Sequence, residues 1–185
     1  MNGPGKISRG NPGAMAAVAT RVDPCRAPAA PERERQGDSV VLDRRGIAAA
    51  KAIDVARKAV EKDQHWVRTG HTALDPTEDP AMVADPVVRD LRSAETLLCE
   101  VKAALGRAAA QVATPEKAAN ETERALEAHV KAVDLIRAAI RNLREGPYGR
   151  LGPAELAALE AATKAEGVAI FTQTRIVLAT DALLN

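Results

Sequence analysis

The side chains on which chemistry could rest are three histidines, two cysteines and a set of carboxylates. His65 and His71 stand six residues apart, which is not the i, i+4 spacing that brings two ligands to one helix face for a transition metal. With Asp63 and Asp75 nearby they read as solvated histidines around the end of a helix. His129 lies between Leu126 and Val133 on an apolar stripe. A polar residue in such a stripe can fix helix register, and a buried histidine can sense pH, since its reference pKa of about 6.5 lies near neutrality. Cys99 follows the stripe residue Leu98 and reads as a small, largely apolar filler on the flank of a core. Cys25 has no neighbour that would activate a thiolate.

Nucleophilic catalysis finds no support. Gly-x-Ser-x-Gly is absent, and Ser8, Ser39 and Ser93 lack matched histidine and aspartate partners. The glycines fall in the N-terminal segment and in turns, not in a phosphate-cradling loop. Glu116, Glu121, Glu123 and Glu127 alternate with Lys117, Arg124 and Lys131, the pattern of a solvated helix face laced by i, i+3 and i, i+4 pairs. The Glu-x-x-His pairs of di-iron bundles are missing. No catalytic, cofactor-binding or metal-binding residue is assigned, and the chain is expected not to be an enzyme.

Composition narrows the class further. The 185 residues carry 26 Lys+Arg against 25 Asp+Glu, a net charge of +1 that argues against bulk electrostatic binding of nucleic acid. Arg44-Arg45 and Arg141–Arg144 are the only local basic concentrations. They leave a small helical regulatory or nucleic-acid-associated protein as a minor alternative. Aromatics make up 2% of the chain, too few for a base-stacking platform. No apolar run approaches the ~20 residues of a membrane helix, so no membrane span is expected. Without a signal-peptide core the expected location is cytoplasmic, with export on an uncleaved N-terminus as the alternative.

Alanine dominates the elements that must hold these groups: 39 of the 185 residues. Residues 1–42 are rich in proline and glycine and are expected to form a disordered arm, with Val40-Val41-Leu42 as its apolar anchor. Asp43 is placed to cap an amphipathic helix over 43–69, with Ala49, Ile53, Ala56, Val60 and Val67 on one stripe and Thr69-Gly70 as its end. An acidic linker is expected over 70–84. Asp85-Pro86 then opens a helix carrying Val87, Leu91, Ala94, Leu98, Val101, Leu105, Ala108 and Val112, an unbroken 4,3 alternation. Thr114-Pro115 repeats the start signal before Ala119, Thr122, Leu126, His129, Val133, Ile136, Ile140 and Leu143. Two seamed helices joined by a short turn predict an antiparallel hairpin. Gly152-Pro153 opens a last helix. Residues 168–180 are rich in β-branched side chains without a clean period, and fit a helix or a strand; consistency with the neighbouring elements favours helix. The expected architecture is all-α, an antiparallel hairpin within a small three- or four-helix bundle over 85–185.

The expected function is a non-enzymatic protein–protein interaction or assembly module whose partner is another protein or a second copy. Ile170, Phe171, Ile176, Val177, Leu178, Leu183 and Leu184 form the largest apolar group outside the hairpin and are the candidate contact residues. The segment Leu151-Gly152-Pro153-Ala154-Glu155-Leu156, followed by Leu159 and a Thr/Val/Ile-rich helix ending Ala182-Leu183-Leu184-Asn185, resembles the inner-rod proteins of bacterial type III secretion systems. The resemblance covers about 35 residues. It implies a self-assembling, rod-like subunit whose C-terminal helix polymerises and which has no catalytic residue. The chain is long for such a rod, and residues 43–145 have no counterpart in it.

Overall fold

The computed structural model describes residues 43–77, 85–146 and 150–185. The proline-rich arm at 1–42, most of the acidic linker (78–84) and the turn at 147–149 lie outside the described residues. Four helices account for nearly all the rest: α1 (Arg44–Leu74), α2 (Pro86–Ala110), α3 (Pro115–Glu145) and α4 (Pro153–Leu184). The described residues contain no strand.

Helix starts follow local chemistry. Asp43 accepts a hydrogen bond from Gly46 N at 2.8 Å, and Asp85 accepts from Val87 N at 2.8 Å and Val88 N at 3.3 Å, so each satisfies backbone donors that the first turn leaves open. Pro86, Pro115 and Pro153 occupy first-turn positions, where a missing N–H costs nothing. Thr114 departs from the expected device: its side chain makes no capping bond, and Pro115 alone marks the start of α3.

Each helix packs along two neighbours. α1 lies against α4 and α2, and α3 lies against α2 and α4, which leaves α1 diagonal to α3 in a four-helix bundle. The expected stop of α1 at Thr69-Gly70 is therefore corrected, and so is its separation from the bundle. The helix continues to Leu74 because Gly70 is a packing notch: a Cβ there would lie 3.3 Å from Leu91 Cδ1, 3.6 Å from Ala158 O and 3.7 Å from Ala161 Cβ. The tightest of these contacts is to the end of the Leu91 side chain, which would have to shift by a few tenths of an ångström to admit a methyl group. The first residues of the expected linker, 71–74, are helical as a result.

The hairpin stands as read. All eight seam residues of α2 and its following turn, Val87 through Val112, are buried, as are seven of the eight on α3; Leu126 is half-buried. Residues 168–180 are helical throughout, within α4.

Candidate interaction surface

α4 is built inside out. Its buried residues are Ala158, Ala161, Ala162, Ala165, Ala169, Thr172, Ile176, Ala179 and Leu183, six of nine being alanine. From Ala158 they step 4, 3, 4, 3, 4, 3, 4 through Ala162, Ala165, Ala169, Thr172, Ile176 and Ala179 to Leu183. A second stripe with the same rhythm runs along the opposite side: Leu156, Glu160, Thr163, Gly167, Ile170, Thr174, Val177, Asp181 and Leu184, every one exposed. Phe171 and Leu178 flank it one residue on. Helix geometry explains the arrangement, since two stripes half a turn apart can both keep a 3,4 rhythm.

The seven candidate contact residues are thereby divided. Ile176 and Leu183 face the core and hold α4 in the bundle, which removes them from any docking surface. Ile170 (62% exposed), Phe171 (70%), Val177 (41%), Leu178 (46%) and Leu184 (58%) face solvent together. The other large exposed apolar residues among those described are Ile47, Val55, Val130 and Leu156, scattered singly over α1, α3 and the start of α4. Single exposed apolar residues are ordinary; a contiguous stripe is the feature that marks a binding surface.

Among the described residues one helix bears on the expectation of no membrane span, and only weakly. α4 is long and apolar enough to cross a bilayer by length and composition, with an 18-residue window of mean hydropathy 1.3. Alanine and threonine supply the continuity that a search for runs of large apolar residues misses. The helix is nevertheless tied into the bundle along its length. Arg137 Nε donates to Glu166 Oε1 at 2.9 Å, Thr180 Oγ1 to Thr122 Oγ1 at 2.8 Å, and Lys164 Nζ lies 4.6 Å from the Trp66 ring centroid.

His129 is fully buried, and its Nε2 lies 2.9 Å from Oδ2 of Asp63, also fully buried. The bond joins α3 to α1 across the diagonal of the bundle, whose main helix contacts are side by side. His129 Nδ1 and Asp63 Oδ1 have no hydrogen-bond partner. The histidine was legible as a seam residue. Its partner was not, although the signal was present: Asp63 takes the place between Val60 and Val67 where the α1 stripe should carry an apolar side chain.

A second polar cluster closes the end of α1. His71, expected to be solvated, is buried because the helix runs through Gly70 and carries it onto the inner face. Its Nε2 lies 2.6 Å from Glu95 Oε2, and Arg68 Nε donates to Glu95 Oε1 at 2.7 Å. Burial draws the Glu95 carboxyl upward, but the hydrogen bonds from His71 and Arg68 and their charges outweigh it and hold the group below its ordinary value of 4.5. Arg92 pairs with buried Asp75 just beyond. His65 stays exposed, edge-on to Trp66 with ring centroids 5.0 Å apart. Cys99 is half-buried, with Gln64 Nε2 donating toward its Sγ at 3.6 Å. Arg141 and Arg144 are exposed on α3. No group of three His, Cys, Asp or Glu among the described residues is placed to hold a metal. The polar clusters thus join helix to helix, and among the described residues the outer stripe of α4 holds the largest group of exposed apolar side chains.

No family model matches this chain, and no curated protein and no solved structure is significantly similar to it.

Proposed function

We propose that the protein is a non-enzymatic helical interaction module whose docking surface is the outer stripe of α4. One observation carries the reading: six of the nine residues that α4 buries are alanine, while Ile170, Phe171, Val177, Leu178 and Leu184 face solvent. A helix needing only to complete its own bundle gains more by burying Ile170, Phe171, Val177 and Leu178 than by burying alanine, since burial is worth about 25 cal/mol per Å² of apolar surface. Exposing them costs solubility with no return to the monomer, so their position makes sense as a contact surface for another protein.

Helix-on-helix docking fits the 3,4 rhythm of the stripe, which is the spacing a second helix can follow. A self-assembling subunit of a secretion apparatus, as the inner-rod resemblance implies, would use the same helix.

The test is photo-cross-linking in the producing cells, with benzoylphenylalanine placed at Phe171 or Leu178 and, as the control, at the isolated exposed residue Ile47. The expected result is discrete adducts from the two α4 positions and none from Ile47. Absence of α4 adducts above the control overturns the reading. So does persistence of the Leu178 adducts when Phe171→Glu is introduced alongside.

A further inference from the structure

We infer that the outer stripe of α4 binds the same stripe of a second copy of this chain, antiparallel, about a two-fold axis passing between Val177 and Leu178. The inference rests on the reading of this stripe as a docking surface and names its occupant.

The pattern along the stripe is the first argument. From Ile170 onward it reads apolar pair (Ile170, Phe171), Thr174, apolar pair (Val177, Leu178), Asp181, apolar (Leu184). About that axis an antiparallel copy sets Phe171 against the partner's Leu184, Val177 against the partner's Leu178, Thr174 against the partner's Asp181, and leaves Ile170 beside the partner's Asn185 at the edge of the contact. Each contact occurs twice, as a two-fold axis requires. The Thr174 hydroxyl can donate to the partner's Asp181 carboxylate, so the polar position inside the stripe finds its match.

Charge is the second argument, and it selects the direction. Arg175 and Asp181 are the only ionised side chains between Gly167 and Asn185, and both are exposed. A parallel pair would set Asp181 against Asp181 and Arg175 against Arg175 within the contact, where like charges repel. The antiparallel pair separates the two aspartates and brings each within a turn of the other copy's Arg175. A partner of unrelated sequence has no reason to match a pattern that matches itself.

Area is the third argument. Exposures of 41 to 70% on five large side chains leave roughly 500 Å² of apolar surface per copy, hence about 1,000 Å² for the pair. That is the lower bound of a specific interface, so the dimer forms and dissociates with concentration, with a dissociation constant of about micromolar order. An isologous contact closes on itself, so assembly stops at two. A bilayer fits less well: the stripe holds the charged Asp181 between Val177 and Leu184 and lacks the flanking lysines and arginines that seat an interfacial helix.

The experiment uses the purified full chain. Sedimentation equilibrium over a hundredfold concentration range is expected to show a mass rising from 19.5 kDa to about twice that value. Phe171→Glu/Leu178→Glu is expected to weaken association roughly hundredfold while leaving helicity and melting temperature unchanged, because both residues face solvent in the monomer. Benzoylphenylalanine at position 171 is expected to label the partner near Leu184. A monomer at all concentrations overturns the inference, as does a dimer that the double variant leaves intact. Labelling near position 171 of the partner would mean a parallel pair. Labelling within residues 1–42 would mean that the chain's own arm covers the stripe. Flotation with phosphatidylcholine vesicles in place of dimerisation would mean a bilayer. Each of these overturns the second copy as occupant. If the pure protein is a monomer while the cellular cross-links go to a different protein, only this inference fails; if no adducts form in either setting, the docking reading fails with it.

Discussion

Replacing His129 by leucine strands a carboxylate in the middle of the bundle. Asp63 is fully buried, its Oδ1 already lacks a partner, and its Oδ2 is bonded to His129 Nε2. No helix neighbour offers a substitute donor in the structure, so the variant must either bury an uncompensated charge or neutralise it. Breaking a buried pair from one side costs about 3–5 kcal/mol, a large part of the roughly 5–15 kcal/mol that holds a domain of this kind together. Asp63→Val instead leaves His129 Nε2 without its partner, at about 1–3 kcal/mol for the lost hydrogen bond. The double variant removes both polar groups and puts a valine between Val60 and Val67 in the α1 stripe. Replacing a buried pair wholesale by apolar side chains is neutral or stabilising in many proteins. The double variant should therefore lie within about 2 kcal/mol of the native chain, short of the sum of the singles by about 2 kcal/mol or more. Urea unfolding reads this directly. Trp66, the chain's one tryptophan, sits between His65 and Lys164, so its fluorescence follows the parting of α1 from α4, with circular dichroism as the second probe. A cost below about 1 kcal/mol for His129→Leu, or additive singles, would refute a dry, coupled pair across the diagonal.

Glu95 should make stability pH-dependent. Its folded value is depressed, so its contribution is complete above about pH 4.5 and is lost as pH falls through the folded value. Melting temperatures of the native chain and Glu95→Gln should differ at pH 6 and converge below pH 4.5; a constant gap would refute the assignment. Leu98→Asp and Ile136→Asp should each collapse helicity by burying an unpaired charge in the hairpin seam, and unchanged circular dichroism would remove those residues from the core. Gly106→Ala should stabilise by up to about 1 kcal/mol, because nothing lies within 4 Å of the added carbon. Gly70→Val should instead destabilise by about 1–3 kcal/mol through crowding of Leu91 and α4; thermal melts of equal cost would contradict the notch.

Some elements were readable residue by residue and some were not, for physical reasons. The seams of α2 and α3 are plain because large apolar side chains recur along them in an unbroken 3,4 rhythm, and the Asp43 and Asp85 caps because their local chemistry stands alone. Gly70 misled because a glycine that ends a helix and a glycine that admits a neighbouring helix look alike until the neighbour is in place. His71 was misplaced with it. Asp63 was overlooked because an aspartate on a charged helix is ordinarily solvated, and only its partner 66 residues away explains its burial. In α4 the ranking by size put Ile170 and Phe171 with Ile176 and Leu183, whereas the fold separates them. Alanine carries too little hydrophobicity to announce which side it lines. The candidate surface was therefore legible as a group of residues but not as a face.

The alanine lining of α4 reverses the usual tolerance of a protein interior. In most cores truncation is the damaging direction, because it opens a void. At Ala158, Ala162, Ala165, Ala169 and Ala179 there is almost nothing left to remove, and any enlargement must push whole helices apart. A complete substitution scan of this helix should thus show an interior that accepts glycine and serine more readily than leucine. The exterior should accept leucine, isoleucine or methionine almost anywhere. Over evolutionary time such a helix would hold the volume of its inner stripe nearly fixed, whereas its outer stripe would be limited by what it docks against and not by the packing of the bundle.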